Sequence, residues 1–205
     1  MSIAGFHSLV LRARRAVNVL VAAFALGAAA SASAAPVLGA QLYWQGGDVT
    51  VEVQRATAAY NSELRLYHPD STYTFIAYNA PNRNPVGTTM ALGAAWLDGF
   101  YNVGDELLFG IHVLNTGHTF WMGPALRNAD RQFHATVNAT ARPGWYRVSF
   151  EDLYGGGDRD YDDNVFDFRG SIRPQGQVSE PAVLGLALWG LAGMVALRRR
   201  RASAV

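Results

Sequence analysis

Through the middle of the chain, apolar and polar residues alternate with a period of two. Val49, Val51 and Val53 alternate with Thr50, Glu52 and Gln54, and Leu64 and Leu66 alternate with Glu63, Arg65 and Tyr67. Leu107, Phe109, Ile111 and Val113 share one face of a further run, and Tyr146, Val148 and Phe150 share one face of another. Successive side chains of a strand point to opposite faces, so this alternation predicts half-buried strands. The runs are bounded by turn signals at Gly46-Gly47, Asn79 to Gly87 and Gly155 to Gly157. Between residues 36 and 178 no helical period persists beyond about three turns, and the one short candidate helix lies near Thr89 to Leu97. Strands with one apolar face must cover it, which predicts an all-β fold: a single antiparallel β-sandwich of about eight strands. No internal repeat interrupts it.

The two ends break this pattern. Arg12, Arg14 and Arg15 precede an apolar run from Ala16 to Ala30 and the small residues Ser31 to Ala34. A charged segment, an apolar segment and an A-x-A site read as a secretory signal peptide, residues 1–34, cut by signal peptidase after Ala34. At the other end Ala182 to Leu197 carries no charge and runs directly into Arg198, Arg199, Arg200 and Arg201. Such a helix, 182–197, spans about 24 Å, and snorkelling arginines with local thinning reconcile it with a hydrocarbon core of roughly 30 Å. The arginines stay cytoplasmic by the positive-inside rule, which leaves residues 35–181 outside. Residues 35–170 are expected to hold the sandwich, and 171–178, with Pro174 and Gly176, read as a linker.

Composition sharpens the picture once the ends are set aside. Residues 35–180 hold ten arginines against all sixteen Asp and Glu, a balance of −6 within a chain whose total is +1. An acidic exported domain is a poor partner for nucleic acid and a better one for cations. With no cysteine, no disulfide is available in an oxidising compartment, and packing or bound metal must supply stability.

The acidity is concentrated. From Glu151 to Asp167 the chain places seven carboxylates and one arginine, an unfavourable density unless solvent or a cation offsets it. Asp158, Asp160 and Asp162 alternate behind three glycines that free the backbone to wrap. Calcium takes six to eight oxygen ligands, and a flexible carboxylate-rich loop suits it. The expected ligands are Asp158, Asp160 and Asp162, with Asp163, Glu151 or Asp152 completing the shell. The spacing is not that of an EF-hand: Asp163 stands where its glycine belongs and Arg169 where its last glutamate belongs. The alternative is a solvated acidic turn held by Asp side-chain hydrogen bonds.

Two resemblances follow from these residues. Ser179-Glu180-Pro181-Ala182, the Gly- and Leu-rich span and the arginine cluster resemble the PEP-CTERM sorting signal of Gram-negative bacteria over residues 179–205, with Ser179 in place of the first proline. That resemblance implies cleavage near Ser179, Glu180 and Pro181 by an exosortase, a transient stay in the inner membrane, and delivery to the cell surface or extracellular matrix. Gly144-Trp145-Tyr146, Phe150-Glu151-Asp152-Leu153, Gly157 to Asp163 and Val165-Phe166 resemble the signature of an uncharacterised bacterial surface domain family, F-E-D-L followed by G-G-D-x-D-Y-N-D. This second likeness covers about Phe100 to Gly170, with Asn128, Asp130 and His134 at an N-x-D segment and its following histidine, and Asp162 where the family has Asn. It implies a β-rich, calcium-binding domain and names no activity.

Other chemistry fits less well. His112, His118 and His134 have no zinc-protease spacing, although His134 is a candidate neighbour of the acidic loop. Glu151 and Asp152, as a glycosidase pair, would point to opposite faces of a strand. No G-x-S-x-G, P-loop or Rossmann pattern occurs. Tyr43, Trp44, Trp96, Tyr101, Trp121 and Trp145 are material for stacking on sugars, though most are expected in the core. The expectation is a non-enzymatic calcium-binding surface or exopolysaccharide-matrix protein with no catalytic residues. The alternatives are a carbohydrate-binding module, betrayed by tryptophan-dependent glycan binding, and a small secreted glycan hydrolase, betrayed by carboxylate-dependent turnover.

Overall fold

The computed structural model describes residues 35–55, 57–79 and 83–175. The expected signal peptide with Ala34, the sorting tail and the end of the expected linker lie outside the described residues. Ten strands run in chain order: β1 (Val37–Leu38), β2 (Leu42–Val53), β3 (Ser62–Tyr67), β4 (Tyr73–Tyr78), β5 (Thr89–Leu92), β6 (Leu108–Val113), β7 (Thr119–Trp121), β8 (Ala135–Ala139), β9 (Trp145–Phe150) and β10 (Asn164–Pro174). They form a six-stranded sheet in the order β1-β8-β9-β10-β2-β5 and a four-stranded sheet in the order β4-β3-β6-β7. Every pairing is antiparallel. The expected all-β class is therefore what forms, with ten strands where the alternation suggests about eight.

The period-two pattern builds one shared core. Val49, Val51, Val53, Val148, Phe150, Phe166 and Phe168 from the larger sheet are buried together with Leu64, Leu66, Phe109, Ile111, Val113 and Phe120 from the smaller. The rings of Phe109 and Phe168, one from each sheet, meet at 4.7 Å between centroids. Burying a side chain of this size contributes about 1.5–3 kcal/mol, so the facing residues hold the two sheets together in a sandwich-like arrangement.

Three local expectations are corrected. Gly46-Gly47 does not end a strand: β10 pairs with β2 on both sides of it, Gly170 opposite Val49 and Ile172 opposite Trp44, so residues 45–48 bulge out of β2. Gly46 sits at φ +87°, and the Trp44 indole N–H donates to Gly47 O at 2.7 Å, which pins the bulge. A Cβ on Gly170 would lie 2.1 Å from Asp48 O, so only glycine lets β10 pass the bulge. Beyond it, the first half of β2 also meets residues 104–107, with Leu107 N–H donating to Leu42 O at 2.8 Å.

Ser171 to Pro174, expected in the linker, continue β10, because Leu42 to Trp44 on β2 offer them a partner. The candidate helix near Thr89 resolves into β5 followed by a single helical turn, α1 (Ala94–Leu97). Among the described residues no helix is long and apolar enough to cross a membrane.

Candidate metal centre

β9 and β10 pair antiparallel with Phe150 opposite Asn164, so residues 151–163 are the connection between two central strands of the larger sheet. Glu151 remains tied to the sheet, its N–H donating to His134 O at 3.0 Å, and the chain then turns through Gly155, Gly156 and Gly157, all at positive φ. A Cβ on Gly157 would lie 2.9 Å from Glu151 Oε1. Glycine at that position is what lets the loop close over the Glu151 carboxylate.

Glu151, Asp158 and Asp160 come together, each offering a carboxylate oxygen within 4.8 Å of the others. Oxygens bound to one calcium ion lie at most about 4.6–5.2 Å apart, twice the metal–oxygen distance, so the three fit around a single ion. Glu151 is buried at 1% exposure, whereas Asp158 and Asp160 are exposed. The Arg159 N–H donates to Glu151 Oε2 at 2.6 Å, and the Asp162 N–H donates to Asp160 Oδ1 at 3.1 Å. Arg159 and Tyr161 take φ of +64° and +57°, left-handed backbone that costs roughly 1–2 kcal/mol per side-chain-bearing residue. That conformation turns Asp158 and Asp160 toward the same side as Glu151.

The electrostatics of this corner are those of carboxylates short of positive charge. Burial, with the neighbouring Asp163 and Asp158, pushes the Glu151 carboxyl up to about 8 despite the Arg159 N–H. Burial and then the Asp163 charge push Asp152 up to about 6, and Asp160 is raised by desolvation and by Asp162 and Asp158. The Asp163 carboxylate touches both Glu151 and Asp152, and its Oδ2 accepts from the Asp152 N–H at 3.2 Å. Beside them Asn164 is fully buried, with its amide nitrogen 3.4 Å from Asp152 Oδ2 and its Oδ1 without a partner among the described residues. A buried acceptor left unmade costs about 1–3 kcal/mol.

The expected ligands thus divide. Asp158, Asp160 and Glu151 converge. Asp162 does not join them: its Oδ1 accepts from the Thr57 hydroxyl and its backbone O from the Thr57 N–H at 3.0 Å, so it staples the loop to the β2–β3 connection. Buried Asp152 and half-buried Asp163 form an adjoining group. Glu151 and Asp152 sit past the end of β9 rather than on it, so the expected opposite orientation does not apply. Both are nonetheless buried, at 1% and 3% exposure, unlike an acid pair open to a polysaccharide.

Sequence reasoning did not find the strut beneath the loop, although it placed His134 nearby. His134 Nδ1 lies 3.0 Å from Glu151 O and Nε2 lies 2.8 Å from Asp130 Oδ2. Both partners are acceptors, so the ring is held between them from its two nitrogens. The ring stacks on Phe120 at 3.8 Å. Asp130 also accepts from Gly155 N–H at 2.7 Å and Gln132 N–H at 3.1 Å. Burial opposes its charge, but the Gly155, His134 and Gln132 donors hold its carboxyl below the ordinary value. Asn128, also buried, completes the segment by bonding Trp121 through both N–H and O at 2.8 and 3.2 Å.

With its ring nitrogens occupied, His134 is no metal ligand. His112 Nδ1 is taken by Thr119 Oγ1 at 2.9 Å, and the His118 ring lies tilted beside Tyr154, 5.2 Å between centroids. The converging donor set is therefore all oxygen, the preference of a hard cation such as calcium rather than zinc. Of the six aromatics, expected mostly in the core, only Trp44 and Tyr101 lie there; Tyr43, Trp121 and Trp145 are half-buried and Trp96 is 37% exposed.

No family model, no curated protein and no solved structure matches the chain.

Proposed function

We propose that the chain is an exported, non-enzymatic, calcium-binding protein of the cell surface or exopolysaccharide matrix. In this reading a β-sandwich domain is carried through the inner membrane by a signal peptide and held there by the arginine-flanked tail until an exosortase cuts near Ser179-Glu180-Pro181. The observation that carries the calcium reading is the convergence of buried Glu151 with Asp158 and Asp160 on a loop whose backbone is bent to bring them together. A bound calcium ion supplies the positive charge that the six carboxylates of residues 151–163, against one arginine, lack. Glu151 then gives up the proton it otherwise holds near neutral pH, and the loop is tied to the end of β9. The Asp130–His134 strut keeps Glu151 O and Gly155 N–H in place, so the ligands are set by the sheet rather than by the loop alone. Such a loop is a structural clasp: Glu151 and Asp152 are too buried to meet a large substrate.

Calorimetric titration of the purified full chain with calcium tests the proposal. Heat of binding is expected, lost in the Asp158→Ala, Asp160→Ala double variant while the far-ultraviolet β signature stays. Binding that persists in the double variant, or none in the wild type, refutes the clasp. Mass spectrometry of exported material tests the topology: a start near Ala35 and an end near Glu180 or Pro181 are expected, and an intact tail outside the cell refutes sorting.

A further inference from the structure

The outer face of the six-stranded sheet carries a second polar constellation, on the strands that flank the acidic loop. The strand order β8-β9-β10-β2 places Asn138 opposite Arg147, Arg147 opposite Asp167, and Asp167 opposite Glu52. Arg147 Nε and Nη2 donate to the two Asp167 oxygens at 2.8 and 3.0 Å, and the Asp167 side chain is only 2% exposed. From the β8–β9 turn Arg142 reaches back across the sheet, its guanidinium 3.4 Å from the Trp145 ring centroid and its Nη1 and Nη2 on Glu52 at 2.9 and 3.1 Å. Arg169 approaches the same ring at 5.0 Å. Three arginines thus face two carboxylates, a local excess of positive charge on a domain whose balance is −6.

These residues surround a cavity of about 360 Å³ lined by Gln54, Asn138, Thr140, Arg142, Arg147 and Asp167, with Ala141. That volume lies in the lower part of the roughly 300–1,000 Å³ range of small-ligand sites. Its walls are prepared for a mixed ligand. Arg147 Nη1 and Arg142 Nε have no acceptor among the described residues. Gln54 and Asn138 use their amide nitrogens on Glu52 and Ala139, which leaves amide oxygens to accept. A plain anion would meet the guanidiniums but also the Asp167 and Glu52 carboxylates, which repel it. A neutral sugar would leave the free guanidinium hydrogens without an anionic partner. One face of the Trp145 ring is covered by Arg142, so a sugar does not stack there.

We propose that this cavity binds a sugar carrying both a carboxylate and hydroxyls, a hexuronate unit of an acidic polysaccharide. The carboxylate takes the unused hydrogens of Arg147 and Arg142, and ring hydroxyls donate to the amide oxygens of Gln54 and Asn138. The site is separate from the calcium ligands, so it stands or falls independently of the clasp.

The test is titration of the full chain, in chelator and again in calcium, against a galacturonate tetramer, a glucose tetramer of equal length, and inorganic phosphate. The uronate tetramer is expected to bind at least tenfold tighter than the neutral one and to weaken with added salt. Arg142→Gln, at a side chain 44% exposed, and Gln54→Ala are each expected to lower that affinity, the former at least tenfold, with melting temperature unchanged. Equal affinity for the neutral tetramer, full displacement by phosphate, binding only when calcium replaces chelator, or no loss in Arg142→Gln overturns the proposal.

Discussion

The buried Glu151 carboxyl makes a directional prediction about pH. Its folded value is raised from 4.5 to about 8, so the folded protein holds a proton that the unfolded chain releases above about 4.5. For a carboxyl raised on folding, the stabilising contribution is fully present below the unfolded value and is lost as pH rises toward the folded value. A tenfold difference in proton affinity between the folded and unfolded chain corresponds to about 1.4 kcal/mol. Asp152 beside it is raised as well, to about 6, and the whole effect between pH 4.5 and 8 is on the order of a few kcal/mol. In chelator, the melting temperature is therefore expected to fall from pH 5 to pH 8. Calcium at 100 times Kd returns about 2.7 kcal/mol, roughly 10 °C at this domain size, and does so more fully at pH 8, where the proton competes least. Glu151→Gln, a permanently neutral isostere, is expected to flatten the pH dependence in chelator and abolish most of the calcium-induced rise. Scanning calorimetry of wild type and variant from pH 5 to 8.5, with calcium or chelator, measures both. A wild-type melting temperature that rises across this range in chelator, or a calcium-induced rise that survives in Glu151→Gln, would refute the reasoning.

Asp130→Ala leaves the His134 ring Nε2 without its carboxylate partner and Gly155 N–H without its acceptor, so denaturant unfolding should show a loss of about 1–3 kcal/mol; a loss under 1 kcal/mol would mean the strut is incidental. Gly170→Ala drives a Cβ to 2.1 Å from Asp48 O at φ +114°, and should cost several kcal/mol, more than the roughly 1 kcal/mol of an average point substitution. A stable Gly170→Ala protein would show that β10 does not pass the bulge as described. Phe109→Ala removes the ring that meets Phe168 between the sheets and should cost about 3–5 kcal/mol by chemical denaturation.

Local pattern was enough for some of this and not for the rest. Alternation along 49–53, 64–66, 107–113 and 146–150 is a property of near neighbours, so the chain itself determined strands and an all-β class. The crowding of carboxylates between Glu151 and Asp167 is likewise visible in the sequence, since like charge needs compensation wherever the chain goes. What the sequence left open is which carboxylates meet. Asp162 looked equivalent to Asp158 and Asp160, yet Thr57, 105 residues away, draws it aside, and the glycine at 157 admits Glu151 in its place. Gly46-Gly47 read as a strand end because a turn signal carries no information about a partner strand that pairs on both sides of it, and Ser171 to Pro174 read as linker for the same reason. The Asn138–Arg147–Asp167–Glu52 row exists only because the strand order sets β8, β9, β10 and β2 side by side. Periodicity is written in adjacent residues, whereas sites are assembled from residues that only long-range pairing makes neighbours.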